Sequence, residues 1–148
     1  MAYWLLKSEP SNWSWQNQCA VDKEPWDGVR NYQARNHMRA MASGDLAFFY
    51  HSVNEKRIVG VVRVVTEAYP DPSDDTGKWQ CVDVSAVTAI ANPVTLADMK
   101  SDPALINCAL FKQSRLSVVP IMDAEWRRIC EMGDVPDLNT RINPKLRG

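Results

Sequence analysis

The sequence predicts a β-rich α+β domain, a small, closed or nearly closed mixed sheet interrupted by a few short helices. Short β-prone runs recur along the chain, and the helical patterns between them are too short and irregular for a doubly wound parallel fold. No Gly-rich phosphate loop is present, which removes the commonest nucleotide-binding variant of that fold. The 148 residues fit one domain able to bury a real core. A single unit over residues 1–148 is expected, with 134–148 as a loosely packed C-terminal tail.

Ala2-Tyr3-Trp4-Leu5-Leu6 reads as a buried first strand, stopped after Lys7-Ser8-Glu9 by Pro10, which cannot continue a ladder. Ser8 is thereby placed at a strand end. Ser11 to Ala20 fits a short helix packed by Trp13 or Trp15, and Val21 to Pro25 a charged surface loop. Trp26-Asp27-Gly28 is turn chemistry. Asn31 then caps a helix with an apolar stripe of Ala34, Met38 and Met41, and Gly44 is expected to end it as a left-handed cap. Leu46 to Tyr50 is strongly β-prone and closes on His51-Ser52. Val53 to Arg57 reads as a hairpin connection to a strand over Ile58 to Val65, where Gly60 permits a bulge or bend.

Ala68 to Lys78 reads as a solvated loop, without the spacing of a calcium loop. Trp79 to Ile90 is the next strand, ended by Asn92-Pro93. Thr95 with Asp98 resembles a capping box. Leu105 to Phe111 carries no clear pattern. Arg115 to Pro120 reads as a short strand. Asp123 caps a last helix with Trp126, Ile129 and Cys130 on one face and Gly133 as its stop.

Composition narrows the function classes. A net charge of -1 means that nucleic-acid binding must come from a local patch rather than bulk charge. No apolar run approaches a membrane span and the first residues lack a signal-peptide pattern, so a cytoplasmic protein without membrane partners is expected. Cys19, Cys81, Cys108 and Cys130 are far apart with no C-x-x-C pair, which fits free thiols in a reducing compartment. His37 and His51 lie in different elements and no Cys/His metal spacing occurs; neither a metal nor a cofactor is expected. His51 with Ser52 or Cys108 is the conceivable catalytic pairing, but a hydrogen-bonded strand-end histidine is the plainer reading, and no catalytic residue is assigned.

Trp26 has two readings, an anchor in the core or an aromatic wall for a planar ligand. Arg30, Arg35 and Arg39 likewise form either a solvated helix face or a set of phosphate contacts beside such a wall, the layout of proteins that read splayed-out bases.

Four stretches in order carry a resemblance: YWLLKSEP from Tyr3 to Pro10, WDGVRNYQARN from Trp26 to Asn36, Gly44-Asp45 with FFYHS from Phe48 to Ser52, and RLSV from Arg115 to Val118. Together they resemble the EVE-domain family over nearly the whole chain. The resemblance implies a PUA-like fold, a small β-barrel flanked by short helices and related to the YTH readers of methylated RNA. It implies a non-catalytic binder of modified bases in DNA or RNA, above all modified cytosine, holding a flipped base in a pocket. Carried to this sequence, the pocket candidates are Ser8, Trp26, Asn31, Tyr32, Gln33, Asn36, His51, Ser52, Arg115 and Ser117. Arg30, Arg35 and Arg39 would hold phosphates, with Trp26 stacking and Ser8, Asn31 and His51 reading the base edge. Nucleic acid is the expected partner, and a monomer the expected state. The alternatives are a small-ligand or protein-interaction module and, less favoured, an enzyme acting on a nucleobase-like substrate.

Overall fold

The computed structural model describes residues 1–135. Its frame is one six-stranded sheet in the order β2-β5-β4-β3-β1-β6. The strands are β1 (Tyr3–Ser8), β2 (Glu24–Pro25), β3 (Leu46–His51), β4 (Arg57–Pro70), β5 (Gln80–Thr95) and β6 (Val118–Ile121). One pair, β1 and β3, runs parallel, with Leu5 opposite Phe48 and Ser8 opposite His51, and every other pairing is antiparallel. Around the sheet lie α1 (Trp15–Cys19), α2 (Tyr32–Ala40), α3 (Leu96–Lys100), α4 (Ala109–Lys112) and α5 (Asp123–Met132). The β-rich α+β class is as the sequence predicts; the closure is not. The sheet is open, and both edge strands carry a proline, Pro25 in β2 and Pro120 in β6. A proline has no N–H to offer a further neighbour, so such edges end a sheet rather than join it to itself.

Burial explains the strands. All six residues of β3 are buried, as expected of a run covered on both faces, and Phe48 stacks on Trp126 of α5 with centroids 3.9 Å apart. Trp4, Leu6, Phe48, Val62, Val84 and Val118 belong to one continuous core. Asn31 caps α2 as expected, its Oδ1 accepting the Ala34 N–H at 2.9 Å, and Ala34 and Met38 face inward.

Several local expectations shift, each for a physical reason. Gly44 does not cap α2; the helix ends at Ala40 with Met41 as C-cap, and Gly44, at φ 99°, serves the turn into β3. The Val21–Pro25 loop contains β2, which pairs Glu24 with Val84. Asn92-Pro93 does not end β5, because the pairing of β5 with β4 jumps between Ala89 and Val94 and the proline falls where the ladder is interrupted. Arg115 and Leu116 precede β6 rather than start it. The N-cap of α5 is Met122, whose N–H donates to Glu125 Oε1 at 2.9 Å, and Asp123 is the first helical residue. Gly133 does stop that helix, but at φ -86°; it is needed because a Cβ there would stand 2.8 Å from Ile90 Cγ2. The stretch from Leu105 resolves into a 3-10 turn, Pro103–Leu105, followed by α4. Of the expected tail over 134–148, residues 136–148 lie outside the described ones.

Candidate nucleic-acid interface

The turn after β2 builds the site. Trp26 follows the last β2 residue and its N–H donates to Val82 O at 2.7 Å, so its backbone is still tied to β5. Its indole is buried and meets Phe49 edge-on, centroids 5.6 Å apart at 83°. Trp26 is therefore a member of the core, and the same ring also lines a cavity of about 430 Å³. A second tryptophan, Trp13, shares that cavity, with Ser8 and Ser117 at the ends of β1 and before β6. The volume is within the range of small-molecule sites, roughly 300–1,000 Å³.

Gly28 turns the chain away from the cavity at φ 77°, a left-handed conformation that suits glycine. Its N–H donates to Asp71 Oδ2 at 2.8 Å, which also accepts Arg30 Nη1 at 3.1 Å. Asp71 is 1% exposed, so the segment expected to be a solvated loop supplies a buried anchor for the Trp26 turn. Burial alone would raise its carboxyl; hydrogen bonds from the Ser73 hydroxyl, the Gly28 and Ser73 N–H groups and Arg30 outweigh that and hold it at about 2.

The rim is charged in both signs, with Glu9, Glu24 and Asp27 facing Lys7 and Arg30. Glu24 is raised by burial and then by the neighbouring Asp27 and Asp83 carboxylates. Ser8 donates its hydroxyl proton to Trp13 O, so its oxygen is left to a ligand as an acceptor only.

The predicted residues are distributed over three recesses rather than one. Ser8, Trp26, Ser117 and Arg30 line the cavity above. Asn31, Gln33 and Arg115 line an adjoining recess of about 300 Å³ with Ser114. Ser52 lines another cavity of about 430 Å³, which shares Lys7 with the first and Ser114 with the recess. His51 is fully engaged: Nε2 accepts the Trp15 N–H at 3.0 Å, and Nδ1 lies 2.9 Å from Glu55 Oε1. The proton is thus on Nδ1, and both ring nitrogens are engaged within the protein. Tyr32 is exposed and packs on Trp79 at 4.8 Å, with the Arg35 guanidinium over its ring at 4.8 Å. Asn36 accepts from Arg35, which also donates to Lys78 O at 3.0 Å. Arg39 donates to Gln80 Oε1 at 2.8 Å. The three arginines expected to grip phosphates are therefore all held by the 71–80 segment.

Trp13, Lys7, Glu24 and Asp27 were not singled out by sequence reasoning. Trp13 and Glu24 had no local signal to separate them from other aromatic or loop residues. Asp27 and Lys7 stood inside motif stretches and could have been found there.

Comparison with known proteins agrees with this architecture. Over 159 aligned residues the chain is 38% identical to human thymocyte nuclear protein 1, covering 84% of this chain and 71% of that protein. A crystal structure of an Agrobacterium tumefaciens protein superposes with a TM-score of 0.90 at 46% identity, covering 93% and 96% of the two chains. The crystal structure of human THYN1 in complex with 5-methylcytosine-containing DNA superposes with a TM-score of 0.84 at 35% identity, covering 92% of this chain and 99% of that one. The EVE domain model matches residues 2–132, and the chain belongs to the EVE-domain family.

Proposed function

We propose that this protein is a non-catalytic reader of modified cytosine in nucleic acid, and that the extruded base enters the cavity between Trp13 and Trp26. The observation that carries the reading is that cavity: two indoles on the walls and hydrogen-bond acceptors on the rim. Support comes from family membership and from the related human protein bound to 5-methylcytosine DNA. Extruding a base costs a few kcal/mol, and aromatic stacking returns about 1–3 kcal/mol per base. Stacking alone accepts any base, so identity has to come from the rim. The Glu24 and Asp27 carboxylates and the Ser8 oxygen are acceptors, suited to the cytosine N4 amino group and opposed to the O4 acceptor of thymine. Pro25 and Val29 supply apolar surface for a 5-methyl group, where burying one carbon is worth about 0.8 kcal/mol, or several-fold in affinity. Neither histidine is poised as a base for that cavity: His51 is clamped, and His37 packs against Trp4 with burial lowering its pKa. Residence in a reducing compartment such as the cytoplasm belongs to the same reading and fits four free cysteines.

The test is a titration against matched single strands and duplexes carrying cytosine, 5-methylcytosine or thymine at one position. Preference for 5-methylcytosine over cytosine by several-fold, and for cytosine over thymine, is expected. Asp27→Asn should narrow the second preference. If no oligonucleotide binds at low salt, the reading fails and a small-ligand or interaction module replaces it.

A further inference from the structure

The three arginines beside the aromatic cavity are each occupied by the protein's own 71–80 segment. Two exposed lysines without such partners among the described residues, Lys56 and Lys100, lie on the other side of Lys7. Lys7 itself is partly buried and its Nζ donates to Ser114 O at 2.9 Å; among the described residues it has no carboxylate partner. An ammonium carries three donors, so two remain free. Burial lowers the Lys7 pKa, as expected of a cation with no anion to offset its lost hydration. Lys7 stands in the wall shared by both cavities of about 430 Å³.

The second of these cavities gathers Lys56 and Lys100, both exposed, with Lys7 around an apolar floor that includes Phe111. Tyr50 also lines it; this residue is 4% exposed, and its hydroxyl has no hydrogen-bond partner among the described residues. A phenol that opens on a cavity in this way is a donor available to a ligand oxygen. The rim adds a second irregularity. Val53 lies at φ 72° and Lys56 at φ 51°, left-handed conformations that are unfavourable for a β-branched residue above all.

We propose that this lysine basin binds the sugar–phosphate of a nucleotide flanking the base held between Trp13 and Trp26, with Lys7, Lys56 and Lys100 meeting the phosphate charge and Tyr50 donating to a phosphate oxygen. The proposal rests on the base-reading function of the neighbouring cavity. It departs from the sequence expectation by moving the phosphate contacts from the arginine face of α2 to the far side of Lys7. A phosphodiester fits the chemistry because it is anionic, accepts several hydrogen bonds, and brings a sugar to lie on the apolar floor.

The experiment is a titration of the full chain against one oligonucleotide with and without 5-methylcytosine, by fluorescence anisotropy at several salt concentrations. The Lys56→Ala/Lys100→Ala double variant should flatten the plot of log affinity against log salt by roughly 1.4–1.8, two phosphates' worth. The loss should be equal for the modified and unmodified strand. Tyr50→Phe, which removes one oxygen, should weaken both by roughly tenfold with an unchanged melting temperature. An unchanged salt slope in the double variant, with discrimination intact in the wild type, overturns the basin and leaves the base reading standing. A flattened slope with no discrimination in the wild type supports a phosphate basin and overturns the base reading. Absence of any binding by the wild type overturns both.

Discussion

The Asp71 carboxylate accepts the Gly28 backbone N–H at 2.8 Å, linking the turn after Trp26 to a residue 43 positions later. The same oxygen takes Arg30, and the other oxygen takes the N–H and hydroxyl of Ser73. Four donors on one buried carboxylate make it the post on which the Trp26 turn is fixed. Lining residues on both sides of that turn, from Glu24 to Arg30, depend on it for their positions.

That post should be visible in acid. The carboxyl sits at about 2 in the folded protein against an ordinary 3.8. A depressed folded value means the stabilisation is complete above the unfolded value and is lost as pH falls from about 4 toward 2. The shift corresponds to on the order of 2 kcal/mol. Asp71→Asn should therefore lower the unfolding free energy from urea denaturation at pH 7 by about that much, and the gap to wild type should shrink as pH approaches 2. A gap that stays constant across this range would mean that the charge is not what holds the turn.

Gly60 tests a different kind of constraint. A Cβ there would stand 2.5 Å from the ring of Trp15, which in turn packs on Phe49 with centroids 5.3 Å apart. Gly60→Ala should push the indole off the sheet and cost about 1–3 kcal/mol, as overpacking does. Gly28 gives the contrast, because nothing lies within 4 Å of a Cβ there and the cost comes from φ 77° alone. Gly28→Ala should cost about 1 kcal/mol through backbone strain. Chemical denaturation of the two variants compares them directly. Equal loss at both positions would show that Trp15 moves aside easily.

The reach of the sequence follows the range of the interactions. Asn31 announces its helix because cap and capped N–H are three residues apart. The strands of Leu5 and Phe48 announce themselves because their side chains are apolar whichever neighbour they meet. The open edges were harder to foresee, although Pro25 and Pro120 were in plain sight, since a proline limits a sheet only once its place at the edge is known. Trp26, Ser8 and Ser117, expected together from the sequence, do line one cavity. The fate of the arginines was not, because Asp71, Lys78 and Gln80 reach them across some forty residues, with no local pattern to mark the pairing. The engagement of His51 was hidden for the same reason: Trp15 is 36 residues away.

Trp26 joins fold and function, so its replacement has to separate the two. A tryptophan confined to a turn would affect folding only modestly when replaced. The indole is in fact 8% exposed and packed on Phe49, so Trp26→Ala should cost about 3–5 kcal/mol like other large core deletions. Loss of discrimination in that variant alone would therefore be ambiguous. Trp26→Phe keeps an aromatic ring against Phe49 and should retain most of the stability, at a cost below that of the alanine variant. It also reduces the stacking surface in the cavity, so affinity for 5-methylcytosine strands should fall while the salt slope stays at its wild-type value, phosphate contacts being untouched. Thermal melts and salt-resolved titrations of both variants give all the readings needed. If Trp26→Phe binds modified and unmodified strands as the wild type does, the ring serves the core only, and Trp13 becomes the wall on which the base stacks.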